Sequence, residues 1–406
     1  MNAAAAVFSS DEDDMESWDM ENTSAASSSL NEDQEDLDNI DPFVVDHSYL
    51  GDDMAVMRSK STYFTPGTTM SMPLVLLPDL VIFPGETLPL RMLSTSTLQL
   101  ITTRLRDGND FFALINTNHL HHVGTVIQIE RVYEQGDMHL SIVGRGRQRF
   151  ELVERVQIHS LGHFLEGIFA QVRILPDYHA IPSPVALPSS SPSRRKRPRP
   201  RMIAYWGPAQ YALFDGPSLV YQAKSILLQS VEWHAFTGSQ PSTLTSSSPS
   251  DPTRFSYWLA AHLNLSLLDR QRFLATSCAI GRLRALIAWL QQQTSLIQCA
   301  GCATTLADTR DIFLQQDAVD GSPVSTFVNP HGSIHQILTM HSVPMTLVRP
   351  HGEPTLADTW FPGYTWQCIS CRTCANFLGW RYEAAPMLLD DPHPRVFFGL
   401  LRNAIC

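Results

Sequence analysis

The chain has 406 residues, of which 44% are hydrophobic and 17% charged, and its formal net charge is −11. This apolar fraction can fill hydrophobic cores, and the length predicts two or three domains. No run of 18 or more apolar residues occurs, so the sequence excludes a membrane-spanning helix. No basic segment precedes the first short apolar run, which argues against a secretory signal and favours an intracellular protein.

The acidic residues are concentrated at the amino terminus. Residues 1–60 contain 16 acidic and two basic residues, whereas residues 61–406 contain 24 acidic and 27 basic residues. The acidic segment also has few large apolar side chains, so it cannot bury enough surface to offset the entropy lost on ordering. We therefore predict that residues 1–65 form a disordered acidic leader.

Short β-like runs separated by turn residues begin after this leader and predict an all-β barrel or sandwich. A helix is predicted at residues 94–106. Residues 182–201 are rich in proline and arginine and predict an exposed insertion, whose basic run is a nuclear-import signal, a nucleic-acid patch or a solvated loop. The predicted strands are 74–77, 80–83, 111–115, 125–129 and 139–143.

The spacing of apolar residues changes to that of helices at residues 216–297. Asp251 and Pro252 predict a capped helix start with a first-turn proline. A longer helix is predicted from Leu274 to Leu290, with Cys278 on its apolar face. After Cys299 the pattern returns to strands, and residues 325–340 predict a β-hairpin with a polar turn.

Five of the seven cysteines form two groups near the carboxyl end, Cys299-x2-Cys302 and Cys368-x2-Cys371-x2-Cys374. Each C-x-x-C turn can present two sulfurs to one metal ion, and four thiolates close a tetrahedral zinc site. This pairing favours structural zinc over buried core cysteines or a redox pair. The spacing itself leaves open whether Cys368 and Cys371 or Cys371 and Cys374 supply the second pair.

Three tryptophans, Trp360, Trp366 and Trp380, lie within 21 residues around the second cysteine group. Such side chains can form the walls of a pocket for a flat neutral ring or a cation. The alternative is that they pack in the core of a compact domain. Composition alone does not decide between a ligand pocket and a core.

In combination, these motifs resemble those of the cereblon family. The carboxyl-terminal part is similar to its thalidomide-binding (CULT) domain in the cysteine pairs, the Val-Asn-Pro-His-Gly turn at 328–332, the Trp-Phe-Pro-Gly-Tyr-x-Trp run at 360–366 and the Gly-Trp pair at 379–380. Upstream, Pro-Gly-Glu-Thr-Leu at 84–88 and Gly-Arg-Gln-Arg-Phe at 146–150 are similar to its Lon-protease-like domain.

The resemblance implies an α+β chain with three folded parts. These are a Lon N-terminal-like β domain at 66–215, an appended helical bundle at 216–297, and a zinc-stapled all-β (β-tent) CULT domain at 298–406. Cys368 becomes a surplus thiol. The implied zinc ligands are Cys299, Cys302, Cys371 and Cys374.

The resemblance also implies an aromatic cage for a glutarimide-like ring. Asp358 stands where the vertebrate relatives have histidine, and Tyr382 stands where phenylalanine is common. If the Asp358 side chain faced the ligand, its carboxylate would repel the imide carbonyls and weaken binding. The positions expected to contact the ligand are Asn329, Pro330, Asp358, Trp360, Trp366, Trp380 and Tyr382.

By resemblance the chain is not an enzyme and has no catalytic residues. It would be the substrate-recognition subunit of a cullin-4 RING ubiquitin ligase, binding thalidomide-like small molecules and proteins with carboxyl-terminal cyclic imides. The helical part would dock the adaptor DNA damage-binding protein 1, in the cytoplasm and nucleus, with no membrane or nucleic-acid partner. The alternative is a zinc-containing methionine sulfoxide reductase-like enzyme, which needs an activated thiolate in the pocket.

Overall fold

The structure is a computed structural model, and it describes twelve stretches of the chain. The insertion predicted at 182–201 and most of the predicted acidic leader lie outside them. No helix in the described stretches is long and apolar enough to cross a membrane. The described residues are 44–51, 54–57, 63–93, 95–116, 122–135, 139–153, 168–177, 212–229, 248–292, 296–318, 323–385 and 394–406.

The amino-terminal half is a closed β barrel. Its elements and the short strand before it are β1 (Val44–Val45), β2 (Ala55–Val56), β3 (Thr69–Leu77), β4 (Thr87–Met92), α1 (Thr95–Arg106), β5 (Phe111–Asn116), β6 (Val123–Gln135), β7 (His139–Leu152) and β8 (Ile168–Ile174). The sheet order is β2-β6-β5-β3-β8-β7-β4, and β6 also pairs with β7, which closes the barrel. Apolar side chains such as Leu88, Phe112 and Ile127 are fully buried inside it.

Residues 80–83, predicted as a strand, are buried but lie outside the sheets. Side chains form hydrogen bonds with this backbone instead. Thr125 donates to the carbonyl of Ile82 at 2.5 Å. Arg270 donates to the carbonyl of Val81 at 2.8 Å, and Glu86 accepts the amide of Phe83 at 2.9 Å. The strand prediction is therefore wrong, because an apolar run does not reveal which groups will satisfy its backbone.

Four helices pack into one apolar core beside the barrel. They are α2 (Gly216–Gln229), α3 (Pro252–His262), α4 (Leu267–Ala275) and α5 (Ala279–Gln292). The predicted cap is confirmed, because the Asp251 carboxylate accepts the amide of Arg254 at 2.9 Å. The helix predicted from Leu274 to Leu290 is confirmed from Ala279 onward as α5, but it does not reach back to Leu274. Thr276 is extended, and its carbonyl accepts a hydrogen bond from Arg282 rather than continuing the helix.

The carboxyl-terminal part is all β, and together with the barrel and the helices it confirms the predicted α+β class. Its strands are β9 (Leu296–Gln298), β10 (Thr305–Asp308), β11 (Ile312–Phe313), β12 (Gln315–Asp317), β13 (Pro323–Val324), β14 (Thr326–Val328), β15 (Ile334–Met340), β16 (Val348–Thr355), β17 (Tyr364–Cys371), β18 (Phe377–Ala384) and β19 (Val396–Leu401). The main sheet has the order β11-β15-β19-β18-β17-β16, with β14 paired to β15 as the predicted hairpin. The domain boundaries stay predictions.

Part of the predicted leader is packed between the barrel and the carboxyl-terminal domain. Strand β1 pairs in parallel with β12, and Leu50 is buried against Val143 of the barrel and Val328 of the carboxyl-terminal domain. His47 is fully buried in the same segment. The prediction of disorder to residue 65 is thus wrong for residues 44–50, because the surfaces that cover this segment are brought together only by the tertiary fold. It is also wrong for β2, which pairs with β6.

Candidate metal centre and aromatic cage

Two turns with the same backbone geometry carry the four candidate metal ligands. In the first turn the amide of Ala303 donates to the carbonyl of Cys299 at 2.8 Å, and in the second the amide of Ala375 donates to the carbonyl of Cys371 at 2.9 Å. Both alanines adopt the left-handed conformation, with φ angles of 57° and 60°. The two C-x-x-C motifs therefore fold into the same kind of turn.

The thiols of Cys299, Cys302, Cys371 and Cys374 form one cluster, in which the sulfur atoms all lie within 4.8 Å of one another. Two sulfur pairs, Cys299 with Cys374 and Cys302 with Cys371, are each 3.6 Å apart. Sulfurs held at about 2.3 Å from a tetrahedral zinc ion are about 3.8 Å apart. The cluster therefore fits a closed zinc site.

Polar groups beside the cluster form hydrogen bonds to its sulfurs, and at Cys302 they favour the thiolate form that zinc requires. Hydrogen bonds from the hydroxyl and backbone of Thr304 lower the pKa of Cys302 to about 6, and the side-chain amide of Asn376 donates to the sulfur of Cys299 at 3.7 Å. Gly301 leaves the room that the second turn needs, since a Cβ there would lie only 3.2 Å from the sulfur of Cys374. Such contacts around the ligands hold and tune a metal site.

Cys368 lies outside the cluster although it is on the same strand as Cys371. Side chains alternate between the two faces of a strand, so residues three positions apart face opposite sides. Cys371 is buried in the same core as Cys299, whereas Cys368 is paired in register with Trp380. The structure therefore assembles the cysteine pair that the family resemblance implied.

Trp360 and Trp380 form two walls of the predicted cage. Their ring centroids are 4.8 Å apart and the ring planes meet at 71°. The indole N–H of Trp360 donates to the carbonyl of Val328 at 3.0 Å, and its ring is stacked on Phe327. This ring is 6% exposed and firmly held, which makes it a rigid wall.

Trp366 lies on the same face of the sheet as Trp380. In the register of β17 and β18, Trp366 is opposite Tyr382, two residues beyond Trp380. The indole N–H of Trp366 donates to the carbonyl of Ala357 at 2.8 Å. Because the protein satisfies the N–H groups of Trp360 and Trp366, these two rings offer a ligand mainly their apolar faces.

Two turns border the cage. The side-chain oxygen of Asn329 accepts the amides of His331 at 3.0 Å and Ser333 at 2.8 Å, so this side chain holds the hairpin turn that also contains Pro330. Asp358 is exposed and left-handed, with a φ of 54°, a conformation that aspartate adopts more readily than most residues. The turn accounts for an aspartate at this position without a role in binding.

Tyr382 is placed in the aromatic core of the domain. Its ring is 2% exposed, stacks on Phe397 with centroids 4.9 Å apart, and meets Phe361 edge-on at 4.7 Å. The structure thus shows Tyr382 supporting the sheet that carries Trp380. A direct contact of Tyr382 with a ligand stays a prediction.

His335 is a cage neighbour that the sequence did not reveal. Its ring meets Trp380 edge-on at 5.2 Å and lies 5.7 Å from Trp360. Burial lowers the pKa of His335, which keeps the ring neutral near pH 7. The sequence feature that could have indicated His335 is its position on the predicted hairpin. In the structure it pairs with Phe327.

Two family profiles cover almost all of the described fold. Residues 71–292, more than half of the chain, match the family described as "ATP-dependent protease La (LON) substrate-binding domain". The chain belongs to this LON family. Residues 295–406 match the family described as "Yippee zinc-binding/DNA-binding /Mis18, centromere assembly". This second match and the four-thiol cluster confirm zinc as the metal.

Among curated proteins, this LON-family chain is similar to cereblon of several animals, which confirms the predicted resemblance. It is 27% identical over 394 residues to "Protein cereblon" of Danio rerio, covering 88% of this chain and 85% of the relative. It is 28% identical over 395 residues to "Protein cereblon" of Xenopus tropicalis, covering 88% and 82%. A solved "N terminal domain of Mycobacterium avium complex Lon protease" matches 55% of this chain and all of that one at 14% identity, with a TM-score of only 0.37.

Proposed function

We propose that this chain is a substrate receptor that binds a cyclic imide between Trp360, Trp366 and Trp380. The similarity to cereblon over 88% of the chain supports the receptor role. The ligand would be the modified carboxyl terminus of a protein or a thalidomide-like small molecule. The receptor would belong to a cullin-4 RING ubiquitin ligase.

The perpendicular contact of Trp360 with Trp380 is the observation that carries the ligand class. A glutarimide ring is nearly flat and uncharged, with one N–H between two carbonyls. Indole faces remove the apolar faces of such a ring from water, while backbone groups of the bordering turns can bond its polar edge. Each of these hydrogen bonds would contribute about 1 kcal/mol.

An exposed apolar patch on the helical part supports a docking site for the adaptor DNA damage-binding protein 1. Tyr221 of α2 is 76% exposed, and Leu213 before α2 is 46% exposed. Both line one shallow groove together with Pro217. Large apolar side chains that cluster on a surface commonly mark a protein interface.

The sulfoxide reductase alternative is not favoured. Such an enzyme needs a thiolate in the pocket, and the described thiol beside the cage is Cys368. Burial raises the pKa of Cys368, which keeps it in the unreactive thiol form. We therefore propose that the cage serves for binding and not for redox catalysis.

The decisive experiment is a calorimetric titration of the zinc-loaded full chain with a glutarimide ligand. We expect saturable one-to-one binding. An N-methylated glutarimide, which lacks the imide N–H, is the matched control and should bind at least tenfold more weakly, because a buried acceptor loses its donor. Absence of binding, or equal binding of both compounds, would overturn the proposal.

A further inference from the structure

Lysine is scarce in this chain and unevenly placed. Only three of the 29 basic residues are lysines, namely Lys60, Lys196 and Lys224. Residues 225–406, which include helices α3 to α5 and the whole carboxyl-terminal domain, contain eleven arginines and no lysine. The domain that carries the zinc cluster and the aromatic cage therefore has no side-chain amine.

Burial explains the choice of arginine at some of these positions. Arg282 is fully buried and donates to the hydroxyl of Ser256 at 2.8 Å and to the carbonyl of Thr276. Arg402 is buried and donates to two backbone carbonyls. A guanidinium presents its N–H donors in a fixed fork, whereas the ammonium of lysine donates from a single atom. The fold therefore requires arginine at these buried positions.

The fold does not impose arginine on the exposed positions. Arg254 and Arg272 of the helical part are exposed, as are Arg349 and Arg372 of the carboxyl-terminal domain. Water solvates an exposed side chain whether it ends in an ammonium or a guanidinium, and exchanges on a surface usually have little effect on stability. Lysine is compatible with these positions, so the fold does not account for its absence.

Two of the exposed arginines lie beside the cage. Arg349 on β16 is paired in register with Ser370 of β17, the strand that also carries Trp366. Arg372 directly follows the last residue of the same strand. Both positions are therefore close to the strand that supplies one wall of the cage, where a bound substrate would be held.

Lys224 is the one lysine in the described stretches, and its surroundings restrict it. The side chain is half-buried, and its Nζ lies 5.4 Å from the centroid of the Phe255 ring. Lys224 is three residues after Tyr221 on α2, so the two side chains lie on the same face of that helix. An adaptor docked on Tyr221 would therefore lie against Lys224.

Ubiquitin transfer to a side chain requires an unprotonated amine. The lysine Nζ attacks the carbonyl of the thioester that links ubiquitin to its conjugating enzyme. The new N–C bond forms, the C–S bond breaks, the thiolate leaves, and the nitrogen loses a proton to water. A guanidinium has a pKa above about 12, keeps its proton and is not a nucleophile near pH 7. Arginine therefore keeps a surface positively charged without accepting ubiquitin.

We infer that the lysine-free carboxyl-terminal domain directs ubiquitin to the bound substrate and spares the receptor itself. The inference rests on the ligase role proposed above. A lysine beside the cage would be held near the conjugating enzyme at the same high effective concentration as the lysines of the substrate, and it would compete with them. With arginine at these positions, the domain that holds the substrate offers no competing amine.

The test is ubiquitination in a reconstituted cullin-4 RING ligase that contains the adaptor and the zinc-loaded full chain. The reporter substrate is green fluorescent protein with an aminoglutarimide at its carboxyl terminus. We expect at least tenfold more ubiquitin on the reporter than on the wild-type receptor. Mass spectrometry of the digested receptor locates each modified lysine.

The double variant Arg349→Lys, Arg372→Lys places two amines beside the cage and keeps both charges. We expect ubiquitin on this receptor to increase at least fivefold, at positions 349 and 372, and ubiquitin on the reporter to decrease. The double variant Arg349→Gln, Arg372→Gln is the matched control, because it removes the same arginines without adding an amine. It should carry no more ubiquitin than the wild type. Equal zinc content and equal imide affinity show that both variants are folded.

Failure of the inference and failure of the proposed function give different results. If the reporter receives no ubiquitin in the presence of the wild-type receptor, the ligase role is wrong and the inference falls with it. If the reporter is modified but the wild-type receptor carries as much ubiquitin, the inference alone is overturned. The same holds if the folded lysine double variant gains no ubiquitin at the two new amines.

Discussion

The guanidinium of Arg270 lies 2.7 Å from the carboxylate of Glu86, and both side chains are at most 1% exposed. The two residues are 184 positions apart in the sequence. Ser325 of the carboxyl-terminal domain donates to the same carboxylate at 3.0 Å. One buried carboxylate thus joins the barrel, a helix and the carboxyl-terminal domain.

Replacing Glu86 by glutamine should destabilise the protein strongly. The variant leaves Arg270 buried without a counter-charge, which costs about 3–5 kcal/mol. Glu151→Gln is the matched control, because its pair with Arg173 is exposed and is worth about 0–1 kcal/mol. Chemical denaturation monitored by circular dichroism measures both losses, and similar losses would contradict the role given to Glu86.

The segment at residues 44–50 should detach as the pH falls. Burial, with Arg131 and Arg145 nearby, lowers the pKa of His47 to about 3, while an unfolded histidine titrates near 6.5. The neutral ring therefore contributes stability that is complete above pH 6.5 and is lost as the pH falls toward 3. Amide exchange in this segment, corrected for its intrinsic pH dependence, should increase over that range.

His47→Asn isolates this effect. Asparagine cannot gain a proton in this range and tolerates the left-handed φ of 62° at this position. Burial also lowers the pKa of His262, to about 4, so acid should still destabilise the remaining fold in the variant. If residues 44–50 of the variant responded to pH as in the wild type, His47 would not be the responsible group.

Two cysteines on strand β17 should differ sharply in their effect on zinc. Cys371→Ser removes a sulfur from the four-thiol cluster, and we expect loss of the bound zinc and unfolding of the carboxyl-terminal domain. Cys368→Ser, three positions earlier, should retain one zinc ion per chain. Elemental analysis of the purified variants provides the count, and zinc loss from Cys368→Ser would contradict the ligand assignment.

Substitutions in the cage should weaken imide binding without changing the zinc content. Trp380→Ala removes one of the two perpendicular walls, and we expect an affinity loss of about 2 kcal/mol or more from lost aromatic contact. Trp380→Phe keeps part of the wall and should lose less. Asp358 stabilises its turn, so Asp358→Ala should leave the affinity for the imide nearly unchanged. A large loss of affinity would show instead that the Asp358 side chain contacts the ligand.

The exposed patch on helix α2 predicts where the adaptor docks. Tyr221→Glu places a charge in the centre of the apolar groove and should abolish co-purification of DNA damage-binding protein 1. Gln291→Glu adds the same charge at an exposed position of α5 and should leave co-purification intact. Equal retention of the adaptor by both variants would exclude this groove as the docking site.

Much of the candidate site could be read from local spacing. The C-x-x-C pairs, the tryptophans and the hairpin at residues 326–340 are short-range patterns, and the structure brings them to one domain. His335 was missed because a single histidine on a strand carries no periodic signal. Its contact with Trp380 depends on the packing of β15 against the sheet that contains β18.

Composition and spacing by themselves predicted the succession of β, helical and β regions, the zinc-binding character of the cysteine groups and the grouping of the tryptophans. Charge and composition also placed the acidic segment at the amino terminus. These properties depend on residue type and on neighbours a few positions away, so they are visible in the printed chain.

Only the tertiary structure decided which cysteines share one cluster, how residues 44–50 are covered and why residues 80–83 are not a strand. Each of these results depends on groups that are distant in sequence and meet only when the chain folds. Burial then sets the energy of each charge and donor, and burial is a property of the fold.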